Sequence, residues 1–163
     1  MKNEIIVIGT VPACPRCRLL TEIMERKVKS LKLEASVRHI AYTSEEAAAL
    51  AASKGLVPGT AKDVAKKNGA EICMDDLQAD RTPDEPDFPV ITDSALLPLN
   101  QLFREVHLLD LRLRHYEHQA ADTGILMTPV LVINGEIQHA GSVPGLEDIH
   151  KWISEACRHN TTE

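Results

Sequence analysis

The strongest constraint on the fold lies near the N-terminus, where an apolar run meets a cysteine motif. Ile5, Ile6, Val7 and Ile8 are unbroken apolar residues ending at Gly9, as expected of a central strand covered on both faces. A short loop then leads to Cys14-Pro15-Arg16-Cys17, after which Leu19, Leu20, Ile23, Met24, Val28 and Leu31 recur at helical spacing. The cysteine pair therefore opens a helix. Residues 34–41 read as a second strand, and strand–helix–strand implies a right-handed parallel unit.

The other end is equally legible. Pro129-Val130-Leu131-Val132-Ile133, then Asn134-Gly135, then Glu136-Ile137-Gln138-His139-Ala140 is a strong hairpin pattern. Beyond Gly141 and Pro144, Leu146, Ile149, Trp152, Ile153, Ala156 and Cys157 mark one face of a closing helix, with Glu147 and Asp148 set favourably against its N-terminal dipole.

The middle has a different character. Thr43 with Glu46 reads as a capping box opening an Ala-rich helix stopped by Gly55; Thr60 with Asp63 opens a shorter one stopped by Asn68-Gly69. A loop with Pro83, Pro86 and Pro89 follows. A long helical pattern then runs from about Pro98 to Ala121 through Leu99, Leu102, Phe103, Val106, Leu109, Leu113 and Tyr116. Net charge is +4 over residues 1–42, −6 over 43–98 and −4 over 99–163, so the acidity sits outside the cysteine segment. The expected organisation is a core of residues 1–42 and 116–163 with a mostly helical acidic insertion, 43–115, packed on or beside it.

Composition narrows the function. At about 100–200 residues per domain, 163 residues leave room for one domain, or a small one carrying an insertion. With 44% hydrophobic and 26% charged residues, the chain is neither disordered nor fibrous. A net charge of −6 has the wrong sign for tracking nucleic-acid phosphates, and 3% aromatics cannot build a base-stacking platform. No apolar run approaches the roughly 20 residues of a membrane span, and Ile5–Ile8 is too short for a signal-peptide core. The expected location is the cytoplasm, with no membrane insertion. There most cysteines stay reduced, so Cys14, Cys17, Cys73 and Cys157 read first as catalytic, metal-binding or buried.

C-x-x-C on the first turn of a helix suits disulfide exchange, because both sulfurs come within bonding reach and the first is exposed. An unperturbed thiol near pKa 8.5 is only about 3% ionised at neutral pH, so activation to about pKa 7 requires roughly 2 kcal/mol of thiolate stabilisation. Pro15 fits the first helical position, where its missing N–H costs nothing, and neighbouring free N–H groups point toward the sulfur. Arg16 and Arg18 add positive charge. Cys14 is then the nucleophile, and Cys17 the deeper thiol that resolves the mixed disulfide.

Val7-Ile8-Gly9-Thr10, Cys14-Pro15-Arg16-Cys17, Thr128 to Glu136, Ala140-Gly141 and Val143-Pro144 together resemble the small thioredoxin-like redox-active disulfide proteins, which are also similar to glutaredoxins. The resemblance covers about residues 4–42 and 116–157. It implies an α/β thioredoxin-like fold, β-α-β, then the insertion, then β-β-α, around a central mixed four-stranded sheet. It implies that Pro129 is cis and faces the cysteines, and that the Thr128 backbone pairs with the substrate chain. The implied activity is thiol-disulfide oxidoreduction with no cofactor beyond the Cys14/Cys17 disulfide. The implied partners are a disulfide- or thiol-containing protein or small molecule and an upstream reductase. Three departures stand out: Ala13 replaces the Trp that precedes the first cysteine in larger thioredoxins, apolar Ile8 replaces their buried carboxylate, and the insertion adds roughly 70 residues.

Other readings compete. The same C-x-x-C could be half of a zinc or copper(I) site, which needs further ligands from Cys73 or a His. A non-catalytic interaction protein acting through the insertion is the third reading, weakened because a bridge across so short a loop stabilises little. Cys157 reads as core beside Trp152 and Ile153, and Cys73, among Glu71, Asp75 and Asp76, as a poor thiolate. The pairs His115/His118 and Glu147/His150 read as solvated polar faces, and Lys2, Arg38 and the basic residues after Cys17 as a solvated helix face. Leu108 and Leu111 widen the long helix's apolar arc, which packing against the inserted helices explains, with homodimerisation as the alternative.

Overall fold

In the computed structural model, which describes residues 2–72 and 91–160 (the last four by backbone alone), the N-terminal run becomes strand β1, Asn3–Gly9. It is central. On one side it pairs in parallel with β2, Ala35–Ala41, and on the other antiparallel with β5, Val130–Ile133, giving the order β2-β1-β5-β6 with β6 at Glu136–Ala140. This is the expected mixed four-stranded sheet. Helix α1, Pro15–Ser30, connects β1 to β2.

The unbroken apolar run is explained by its two covered faces. Ile5 and Val7 enter a core with Leu19, Leu20, Ile23 and Met24 of α1 and with Ile149 and Ile153 of the closing helix α5, Leu146–Asn160. Ile6 and Ile8 enter the opposite core with Ala47 and Ala51 of α2, Glu45–Ala52. The Asn134-Gly135 turn between β5 and β6 has positive φ at both residues, 51° and 82°, as a type I′ hairpin demands.

The middle segment corrects several expectations. The cap of α2 is Ser44, whose hydroxyl accepts the Ala47 N–H, whereas Glu46 turns to Arg38 rather than closing a box with Thr43. The Thr60–Asp63 box is present and opens α3, Ala61–Lys67. Between α2 and α3 lies an unforeseen strand, β3, Val57–Gly59, paired in parallel with β4, Ile125–Met127, in a separate two-stranded sheet. The basic residues do not form one solvated helix face: Arg38 is exposed but lies on β2, and the Lys27 ammonium is buried against Asp93 at 2.7 Å. The loop of Pro83, Pro86 and Pro89 falls outside the described residues.

The long helix α4, Asn100–Ala120, follows a short 3-10 turn at Leu97–Leu99. Its N-terminal half joins the α1 core through Phe103 and Val106, while Leu109 and Leu113 join a third core with Val64 of α3 and Ile125 and Met127 of β4. One helix thus serves two packing partners through its main apolar stripe, while Leu108 and Leu111, which widen the arc, join none of these three cores. Leu111 stays exposed. Among the described residues no helix is long and apolar enough to cross a membrane.

Candidate functional site

The site forms where β1 runs into α1. Cys14 is the N-cap of α1 in extended conformation, its sulfur accepting the Cys17 N–H, and Pro15 occupies the first turn, where no N–H is missed. The Sγ atoms of Cys14 and Cys17 are 3.2 Å apart and hydrogen-bonded, as two thiols rather than a disulfide. Cys17 is fully buried, and Cys14 remains partly accessible.

Their ionisation is split. The Cys14 pKa falls to about 6, first through the hydrogen bond from the Cys17 thiol and then through the Cys17 N–H, the Arg16 charge and the Thr10 hydroxyl, all acting against burial. The Cys17 thiol is pushed up by that same hydrogen bond, by burial and by the negative charge of Cys14. With Cys14 ionised, the proton between the sulfurs belongs to Cys17. Thr10 acts twice, since its hydroxyl also accepts the Cys14 backbone N–H at 2.9 Å.

Arg16 is 4% exposed, so it is more than a charge beside a thiolate. Its Nε is 2.6 Å from Asp110 Oδ1 of α4, its Nη1 donates to the Thr128 carbonyl at 3.3 Å, and its Nη2 donates to the Gly141 carbonyl. Asp110 is buried too, and its second oxygen accepts the Val143 N–H. Burial pushes the Asp110 carboxyl above the usual carboxylate range, while Arg16 and the Val143 N–H hold it toward ionisation. Arg18, by contrast, is exposed and lines a surface groove with Glu22 and Arg26; the positive charge acting on Cys14 is that of Arg16.

Through Arg16 the Thr128-Pro129 loop is brought onto the first turn of α1. The Thr128–Pro129 peptide is cis, as is Val11–Pro12. Thr128 is buried, and its N–H donates to Gly59 of β3 at 2.9 Å. Gly141 has φ +97°, and a β-carbon there would lie 2.7 Å from Glu117 Cγ, so the position requires glycine for both backbone and space. The loop is held from the other side by Ser142, which donates to Glu117 while facing His139 at 2.8 Å.

Asp110, Glu117 and Gly59 escaped the sequence reading, as did the role of Thr10, whose place in the N-terminal motif was visible. Only Asp110 left a usable trace, because Phe103, Val106, Asp110 and Leu113 alternate at spacings of three and four, which places a carboxylate on the buried stripe. Among the described residues no group of three or more His, Cys, Asp or Glu is arranged to hold a metal ion. His115, His118, Glu147 and His150 lie on exposed faces. Cys73 lies outside the described residues, as does the Cys157 side chain.

Residues 113–154, from the second half of α4 into α5, match the family model Thioredoxin_3, a thioredoxin domain. No curated protein and no solved structure matches the chain. The matched segment, the mixed four-stranded sheet and the cysteine pair at the head of α1 fit a thioredoxin-like fold with a helical segment in its middle.

Proposed function

We propose that the protein is a thiol-disulfide oxidoreductase in which Cys14 is the nucleophile and Cys17 the resolving thiol. The observation that carries this reading is the unequal pair: two sulfurs in contact, one accessible and ionised near neutrality, the other buried and protonated. A group of pKa near 6 is about nine-tenths thiolate at neutral pH.

The Cys14 thiolate attacks one sulfur of a substrate disulfide, forming a mixed disulfide and releasing the first substrate thiolate. Cys17 then loses its proton and attacks Cys14 Sγ. The Cys14–Cys17 disulfide forms, the second substrate thiolate leaves, and two electrons have moved from protein to substrate. An upstream dithiol donor restores the pair, and no cofactor beyond it takes part. Thr128-Pro129 is the docking edge for the substrate backbone; with the Thr128 N–H committed to Gly59, the substrate is received on the remaining lone pair of the Thr128 carbonyl. Arg16 and Thr10 stabilise the thiolate, and Pro15 keeps the helix start open.

The test is a pair of variants. Cys14→Ser is expected to abolish dithiol-dependent reduction of a model disulfide, and Cys17→Ser to accumulate a mixed disulfide through Cys14 that also captures substrates from cell extract. Full activity in Cys14→Ser would overturn the assignment.

A further inference from the structure

The resolving step poses a problem that the cysteines alone do not solve. Cys17 must shed a proton, yet it is fully buried and its thiol is held in the protonated form. In the resting dithiol its proton rests against the Cys14 thiolate, but that acceptor disappears once Cys14 is tied into the mixed disulfide. The positions of β1 beside Gly9 offer no carboxylate, since Val7 lies in the α1 core and Ile8, fully buried, in the opposite one.

His39 stands at this place. It lies on β2 in register with Val7 of β1, and it alternates in phase with Ala35 and Val37, which pack into the α1 core. Its Nε2 is buried and has no hydrogen-bond partner, a costly condition for an imidazole nitrogen unless the atom has a use. A β-carbon built on Gly9 would lie 2.4 Å from Cys17 Sγ and 3.0 Å from His39 Nε2. Both atoms therefore press on the same side of Gly9, an approach that is open to them because residue 9 has no side chain, and they are no farther apart than those two distances combined.

We propose that His39 Nε2 accepts the Cys17 proton during resolution; this deepens the redox reading above and rests on it. When Cys17 attacks Cys14 Sγ, its S–H proton passes to Nε2, the Cys14–Cys17 bond forms, and the bond from Cys14 to substrate breaks. The departing thiolate carries the electron pair away, and the imidazolium returns its proton to that thiolate or to water. Among the described residues, Cys17 is the titratable group that shares the side of Gly9 with Nε2, and Cys14 and the Arg16 charge act on Cys17. β1 presents uncharged Val7 and Gly9, and the adjacent Arg38 is engaged by Glu4 and Glu46. His39 is only partly buried as a residue, so a small base from solvent can reach a cavity left by its removal.

Reduced full-length protein mixed rapidly with limiting dithiobis(nitrobenzoate) separates the two steps. The first chromophore is released as Cys14 attacks, the second as Cys17 resolves. In His39→Gln the first phase is expected to stay within about twofold of wild type, whereas the second slows by about tenfold or more and loses its pH inflection. In His39→Gly added imidazole restores the second phase, which a packing role could not produce. An unchanged second phase and pH profile in His39→Gln would overturn the proposal, as would equal slowing of both phases or failure of imidazole to restore the rate. If wild type gives no Cys14-dependent first phase, the redox reading itself fails, which is a different result.

Discussion

Asp110 Oδ1 lies 2.6 Å from Arg16 Nε, joining the middle of the long helix to the second inner position of the C-x-x-C motif across 94 residues of chain. Both side chains are buried, so the pair is sensitive to the loss of either member alone. Asp110→Ala is expected to lower stability by about 3–5 kcal/mol, because it strands a guanidinium away from water, whereas Arg16→Met combined with Asp110→Leu recovers most of that loss. Denaturant titration of the three proteins checks this. The double variant should also show a raised Cys14 pKa, since the Arg16 charge helps hold the thiolate.

The pH dependence follows from the lowered Cys14 pKa. Alkylation of the reduced protein at Cys14 should rise with pH around a midpoint near 6, well below the value of an unperturbed thiol. Because the folded value lies below the unfolded one, ionisation contributes stability that is complete above the unfolded pKa and is lost as pH falls through 6. The unfolding free energy of the reduced protein should therefore climb across that interval, and Cys14→Ser should flatten the climb. Thr10→Val removes a hydroxyl that lowers the pKa, so the alkylation midpoint should move upward; no movement would contradict the role given to Thr10.

Gly9 has no room to grow. In Gly9→Ala the new methyl would overlap Cys17 Sγ and Cβ, at 2.4 and 2.8 Å. The expected cost is about 1–3 kcal/mol of overpacking, with Cys17 pushed from its buried position and becoming open to alkylation in the folded state. Peptide mapping after a brief alkylation pulse reads this directly.

The two neighbouring hydroxyls before α2 separate cleanly. Ser44→Ala should cost about 1 kcal/mol, as the loss of a helix cap does, while Thr43→Ala should stay within about 0.5 kcal/mol. Thermal melts of the two single variants decide between Ser44 and Thr43 as the cap.

What could be read from the sequence was local. The apolar run of β1, the helix opening at Pro15, the Asn134-Gly135 hairpin and the Thr60–Asp63 box each lie within a few residues of chain, where one signal determines one geometry. Ser44 and Thr43 were adjacent hydroxyls of similar capping strength, and the turn geometry decided between them. β3 was hidden because three residues containing Pro58 carry no period, and its partner β4 lies far along the chain. At the site, the cysteines, Pro15 and Arg16 were visible, whereas the groups that hold Arg16 and approach Cys17 were not, apart from the trace left by Asp110. Asp110, Gly59 and His39 reach it from separate elements, and only the tertiary fold says which carboxylate, carbonyl or imidazole arrives there.

Arg16 between the cysteines makes the motif unequal in what it tolerates. Exchanging Pro15 would retune a reaction; exchanging Arg16 would also unfasten the Thr128 and Gly141 loops from the head of α1. A dipeptide borrowed from another C-x-x-C protein would thus alter chemistry and architecture together, leaving Pro15 as the inner position that selection or an engineer can adjust alone.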